Sequence, residues 1–267
     1  MKNKWLYHAA LTLCAAVFLF SAYRVGSYYF TAYQEANVYD DLNQLVQGSG
    51  TGGNNQTGDN EDEPPLYAES GRLYRYESLY QENNDMVGWI TIPGADSGYP
   101  VMQTPDDEEY YLRKSFYKKK SNGGTPILDK DSDLEDPNSR IMAYGHNLKS
   151  GGMFYPLMKY TKASYWKKNP TFSFDTLYES RTYRIVAVVQ LDLAQEGHFS
   201  YYADDYFSSE AAYNGFIQQA KEAALYDTGV IPSYGQQIMI LSTCSYHVSG
   251  DTGRLAVIAV QESAAAQ

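Results

Sequence analysis

Residues 236–262 read QQIMILSTCSYHVSGDTGRLAVIAVQE. Two apolar, β-branched runs, QQIMILSTC and RLAVIAVQE, flank the turn-rich SYHVSGDTG, which is the pattern of two strands joined by a loop. An antiparallel hairpin centred on that loop sets Cys244 opposite Arg254. Directly opposed residues share a face, with Cβ atoms about 4.5–5.5 Å apart. The register decides the matter, because a one-residue slip turns one of the two side chains to the other face. In the centred register a guanidinium lies beside a thiol. There it can favour the thiolate, or bind the oxyanion that forms as a carbonyl carbon becomes tetrahedral. A solvated charge at a strand end is the plain alternative for Arg254.

Upstream, the chain carries more short β-rich runs separated by turn residues: VGWITIPG, YPVMQT, TPILD, SRIMAYG and TYRIVAVVQLDL. With the hairpin they make about seven or eight strands, spaced too closely for alternating βαβ units. Helical patterns interrupt them. Tyr67–Asn83 places Leu73, Tyr76, Leu79 and Tyr80 at helical spacing, so a helix is expected over one face of the domain. Gly152–Tyr160 reads as a short helix. Ser208–Tyr226 reads as a longer one, with Tyr213, Phe216, Ile217, Ala220 and Ala224 on one stripe suited to core packing. The fold class expected is mainly β with added α: a mixed β-barrel with peripheral helices.

The N-terminus is organised differently. Lys2 and Lys4 precede an apolar run from Trp5 to about Tyr23. A run of that length can cross a bilayer core as a helix, and the lysines favour a cytoplasmic N-terminus. A cleaved signal peptide is the rival, but its apolar region is shorter and ends at small residues. Here bulky Val17-Phe18-Leu19-Phe20 follows Ala15-Ala16. The expectation is therefore a single-pass signal-anchor over residues 1–27, a helical stalk and Gly/Asn/acidic flexible linker over 28–65, and an extracellular domain over 66–267. The chain has two cysteines. Cys14 lies in the anchor, so the exported part holds Cys244 alone and can form no internal disulfide. A single exported cysteine points to a reactive thiol, with an inert buried residue as the bland reading. The formal charge of −11 argues against a nucleic-acid partner. The 27 tyrosines suit half-buried strand faces.

A cysteine nucleophile needs a proton carrier, typically histidine. Three candidates follow the anchor. His247 lies three residues past Cys244, but an odd offset along a continued strand points the two side chains to opposite faces. His198, in LAQEGHFSYY, reads as a surface residue. His146 ends SRIMAYG beside a Gly-rich turn, a place where rigid sheets commonly hold catalytic groups. Spacing alone leaves the three open.

SRIMAYGHNLKSGGMFYPLMKY resembles the segment of class B sortases in which YGHN precedes a Met-Phe helix. ILSTC resembles the sortase TLxTC signature, with Ile240 in place of Thr. Arg254 stands where that family places its essential arginine, and DMVGWITIPG, YPVMQT and EEYYL match in order. The similarity spans about residues 66–262. It implies an eight-stranded sortase barrel with an N-terminal helix and a helical insertion before the Cys-bearing strand. It further implies a membrane-anchored cysteine transpeptidase of Gram-positive bacteria. Cys244 would cleave a C-terminal sorting motif of exported proteins after Thr and form a thioester, and the acyl group would pass to an amine of cell-wall peptide or of a pilin lysine. His146 would carry the proton, and Arg254 would hold the carbonyl and the oxyanion. Such chemistry needs no cofactor or metal, and no Cys or His spacing here resembles a zinc site.

Further positions are expected to bind substrate. Leu112 matches a groove-lining position. Ser242 and Thr243 can offer hydroxyl or backbone groups to a peptide, against ordinary strand packing. Asn147 can orient the imidazole or cap a following helix. Glu108 replaces the Asn of some relatives, and Asp175 and Asp251 have no assigned place. A hydrolytic cysteine peptidase and a tyrosine-rich surface-binding module are the rival readings.

Overall fold

The strand-forming runs pair into one closed sheet. The structure, a computed structural model, describes residues 2–48, 65–203 and 207–262. Eight strands are present among them: β1 Met86–Thr91, β2 Tyr99–Met102, β3 Ile127–Leu128, β4 Arg140–Tyr144, β5 Thr171–Thr176, β6 Ser180–Asp192, β7 Ile238–Cys244 and β8 Gly253–Gln261. They close in the order β1-β2-β3-β4-β7-β8-β6-β5. β5 is not among the strands expected from the sequence, although TFSFDT alternates and buries Phe172 and Phe174 on one face.

The continuous apolar run of β7 has a cause. Met239 and Leu241 enter the barrel core with Leu255, Val257 and Ala259, whereas Ile238 and Ile240 belong to a second cluster with Ala256, Ile258 and Val260. That outer face is covered by a helix from the insertion. Four α-helices are described: α1 Lys2–Gly48, α2 Tyr74–Glu82, α3 Ala163–Trp166 and α4 Glu210–Glu222. α4 lays Tyr213, Phe216, Ile217 and Ala220 on the sheet. Each large aromatic or aliphatic side chain of this kind contributes about 1.5–3 kcal/mol when fully buried. Ser209 caps α4 by accepting from the Ala212 N–H at 3.2 Å.

Two expected helices differ in extent or type. α2 begins at Tyr74, because residues 67–73 form a turn closed by a Tyr67–Leu73 bridge, with Gly71 at φ 82°. The Gly152–Tyr160 segment is a 3₁₀ helix over Tyr155–Thr161, with Pro156 in its first turn.

α1 is one helix through the expected anchor and stalk. It is long and apolar enough to cross a membrane, and the apolar window is unburied. Farther along, Tyr39 and Leu42 join the barrel core. Residues 49–64, nearly all of the expected linker, lie outside the described residues.

Candidate active site

The C-terminal ends of parallel neighbours β4 and β7 lie side by side, with Tyr144 paired to Ser242. β7 then turns into β8, and the antiparallel register sets Cys244 opposite Arg254. This is the pairing that the hairpin spacing predicts. The chain past β4 is fixed to β7 by short bonds: Gly145 N–H donates to Ser242 C=O at 3.2 Å, and Thr243 Oγ1 donates to Gly145 C=O at 2.6 Å. Gly145 is required here, since a Cβ would lie 2.5 Å from Cγ of the fully buried Phe154. Phe154 N–H in turn donates to His146 C=O at 2.9 Å.

Cys244, His146 and Arg254 line one cavity of about 680 Å³, together with Leu112, Ser242 and Thr243. Neither His198 nor His247 lines it. His247 Nδ1 is 2.9 Å from Ser245 Oγ, which also accepts from Gln190. His198 bonds Gln195 C=O and the Tyr202 hydroxyl.

The half-buried His146 points Nε2 at Leu112 C=O, 2.9 Å away. A carbonyl only accepts, so Nε2 carries the hydrogen and the neutral ring's lone pair is on Nδ1. Burial lowers the imidazole pKa and Arg113 lowers it further, against the raising effect of the Leu112 carbonyl. Arg254 Nη1 donates to Asp251 C=O at 2.6 Å and to Gly253 C=O at 3.0 Å, which tethers the guanidinium to its own loop. Its other N–H groups remain for the cavity it lines. Cys244 is a free, half-buried cysteine.

Asn147 takes neither role expected of it. Its buried side chain donates through Nδ2 to Cys244 C=O at 2.8 Å, and the next helical turn starts only at Tyr155. It thus ties the His146 loop to the end of the Cys244 strand. Asp175 bonds Arg75 and Tyr76, and it does not line the cavity. Two groups escaped sequence reasoning. One is Leu112 C=O, since a main-chain acceptor has no residue-type signature. The other is Tyr201, whose buried hydroxyl lies 2.8 Å from Ser242 Oγ. The cavity's far wall is acidic. Asp129 accepts from Tyr144 OH at 2.7 Å and pairs with Arg140 at 3.5 Å, and burial with nearby Asp129 raises the Glu108 pKa.

Sequence comparison extends this picture. Sortase B of Listeria monocytogenes is 28% identical over 258 residues, covering 96% of this chain and 97% of the relative. Sortase B of Staphylococcus aureus is 28% identical over 185 residues, 69% and 73% of the two chains. The chain is thus similar to class B sortases over nearly its whole length. No family model matches it. In three dimensions it resembles sortase B from Bacillus anthracis in complex with AAEK1, with a TM-score of 0.70 at 26% identity over 87% of this chain and 98% of the other. The S. aureus sortase B–substrate complex shares the fold, with a TM-score of 0.72 at 24% identity over 88% and 100%. This likeness to sortase B supports a cysteine transpeptidase.

Proposed function

We propose that this protein cleaves a C-terminal sorting motif of exported proteins after Thr and transfers the acyl group to a cell-wall peptide amine. The observation that carries the reading is one cavity lined by Cys244, His146 and Arg254. The Cys244 thiol passes its proton to His146 Nδ1, the thiolate attacks the Thr carbonyl carbon, and Arg254 stabilises the oxyanion. The C–N bond then breaks, and imidazolium His146 gives its Nδ1 proton to the leaving amine. A thioester on Cys244 remains. The acceptor amine attacks it, His146 takes the amine proton, and the thiolate leaves. Leu112, Ser242 and Thr243 border the bound peptide, and Asn147 acts through the Cys244 backbone. The S. aureus relative has been solved with substrate, and a sortase B has been solved with a triglycine peptide. A peptide acyl donor and a peptide amine acceptor are carried over from these structures, with a pilin lysine as the alternative acceptor.

In the same reading α1 crosses the membrane once, and the domain assigned to 66–267 works outside the cell beyond the 28–65 connection. The test incubates the purified enzyme with a Thr-containing sorting peptide and triglycine. A ligated product and a Cys244-linked acyl intermediate are expected. Cys244→Ala should abolish both while leaving the thermal transition in place. Hydrolysis that ignores added amine would overturn transfer in favour of a cysteine peptidase.

A further inference from the structure

The chain carries a net charge of −11, yet between Asp136 and Asp175 it has no acidic residue. Arg140, Lys149, Lys159, Lys162, Lys167 and Lys168 fall in that stretch. The last four follow the 3₁₀ helix Tyr155–Thr161 and α3, and all four are exposed. Lys159, Lys162 and Lys168 surround a hollow of about 420 Å³ with Tyr155, Met158 and Tyr165, and no carboxylate lines it. Among the described residues none of the four lysines is ion-paired. Main-chain acceptors hold the segment to the β1–β2 turn instead: Lys159 Nζ donates to Gly94 C=O at 2.9 Å, and Tyr165 OH to Pro93 C=O at 2.7 Å. Asp96, the acidic residue of that turn, lines a different hollow. Like charges gathered without counterions repel one another, and a bound polyanion relieves that repulsion.

Strand direction places the hollow. β1 is antiparallel to β2, β2 parallel to β3, β3 antiparallel to β4, and β4 parallel to β7. β1 and β7 therefore run the same way, so Thr91 and Cys244 close them at the same end of the barrel. Around the closed sheet the two strands are four steps apart in either direction. Eight tilted strands about 4.8 Å apart make a barrel roughly 16 Å across, which sets the β1 exit on the far side of the rim from Cys244. We propose that this lysine-lined hollow binds a chain of repeating polyol or sugar phosphates. Lysines present compact point charges, and no arginine fork stands among them. They suit repeated phosphates in no fixed register better than the planar carboxylates of an acidic peptide. Exposed Tyr155 and half-buried Met158 offer apolar faces to the carbon links between phosphates. Nucleobase stacking calls for successive open rings, and Tyr165 is tied by its hydroxyl. A polymer held here leaves the Cys244 cavity open, and its binding is independent of the transpeptidation chemistry.

The test titrates the full chain, in a neutral maltoside detergent, with a fluorescent glycerol-phosphate oligomer. Lys162→Glu, Lys167→Glu and Lys168→Glu together should weaken binding about tenfold or more and lower the slope of log affinity against log salt by about 2. Lys162→Gln, Lys167→Gln and Lys168→Gln should repeat the loss in a milder form, with calorimetry checking that each variant is folded. Lys119→Glu, Lys120→Glu and Lys221→Glu change the net charge equally and should cost less than about threefold. Equal losses from the two reversed sets would make the effect one of net charge and overturn the site. Unchanged binding in the first set, or no binding by the native chain at about 50 mM salt, would do the same. Polyglutamate or oligothymidylate of equal charge bound as tightly as the oligomer would overturn the ligand class. Acylation of Cys244 by a sorting peptide should be unchanged in the first set. A native chain that binds the oligomer but is never acylated would overturn the transpeptidase reading alone.

Discussion

Asn147→Ala isolates the link between the two walls of the cavity. In the native chain its Nδ2 donates to Cys244 C=O across 2.8 Å, from a side chain only 7% exposed. The alanine removes that donor and leaves a space too enclosed for bulk water. A buried acceptor deprived of its partner costs about 1–3 kcal/mol. For a domain of this size each kcal/mol corresponds to roughly 2–4 °C in Tm, so a fall of about 2–12 °C is expected. The functional loss should be larger than that of a surface variant, because the end of β7 and the His146 loop lose a shared anchor. A displacement of about 1 Å between reacting groups can cost on the order of 100-fold in rate. Calorimetry gives Tm, and single-turnover acylation by a sorting peptide gives the rate of thioester formation. Asn147→Asp sharpens the contrast, since a carboxylate at this place repels the carbonyl and should be at least as damaging as Ala. An Asn147→Ala enzyme with native Tm and native acylation rate would refute the bridging role.

Gly145→Ala should lower Tm and slow acylation together, because its Cβ would lie 2.5 Å from buried Phe154; overpacking of this kind costs about 1–3 kcal/mol. Calorimetry and single-turnover assays check it, and a fully active, unshifted variant would overturn the steric argument. Arg254→Lys keeps the charge but loses the fork held at Asp251 and Gly253. Turnover should fall by about 100-fold or more, more in kcat than in KM, as steady-state kinetics would report. The lowered pKa of His146 makes the unfolded chain bind more protons than the folded one near that pKa. Stability linked to His146 is therefore full above about pH 6.5 and is lost as pH falls through the depressed folded value. Denaturant titrations should show His146→Gln flattening that acidic decline.

What the sequence made legible followed from local pattern. The β7–β8 hairpin is readable because both runs and the loop are contiguous, and its centre fixes which residue opposes Cys244. The α4 stripe is readable for the same reason, as 3.6-residue spacing commits Tyr213, Phe216, Ile217 and Ala220 to one face. β5 was obscured because its alternation spans only six residues and closes the barrel through partners far along the chain, Thr91 with Ser173 and Phe172 with Tyr183. The late turns of α1 were obscured too. Tyr39 and Leu42 sit among polar residues, and their partners are loops and strands some 55–85 residues away.

The same division runs through the site and has a physical root. Residue types announce what a side chain can do, and so Cys244, His146 and Arg254 stand out as a thiol, an imidazole and a guanidinium. They do not announce what holds those groups. The imidazole is steered by Leu112 C=O, the guanidinium by Asp251 C=O and Gly253 C=O, and the Cys244 carbonyl by Asn147. Three of these four partners are main-chain atoms, whose identity is independent of the residue that carries them. His247 illustrates the consequence. It is nearest to Cys244 in sequence, yet one hydroxyl, that of Ser245, draws its ring into a chain with Gln190 outside the cavity. Proximity along the chain is thus a poor guide at a strand end, where the backbone turns within two residues. A better guide is which main-chain acceptors the fold leaves free beside the cavity, and here the 3₁₀ turn Tyr110–Arg113 presents Leu112 C=O to His146.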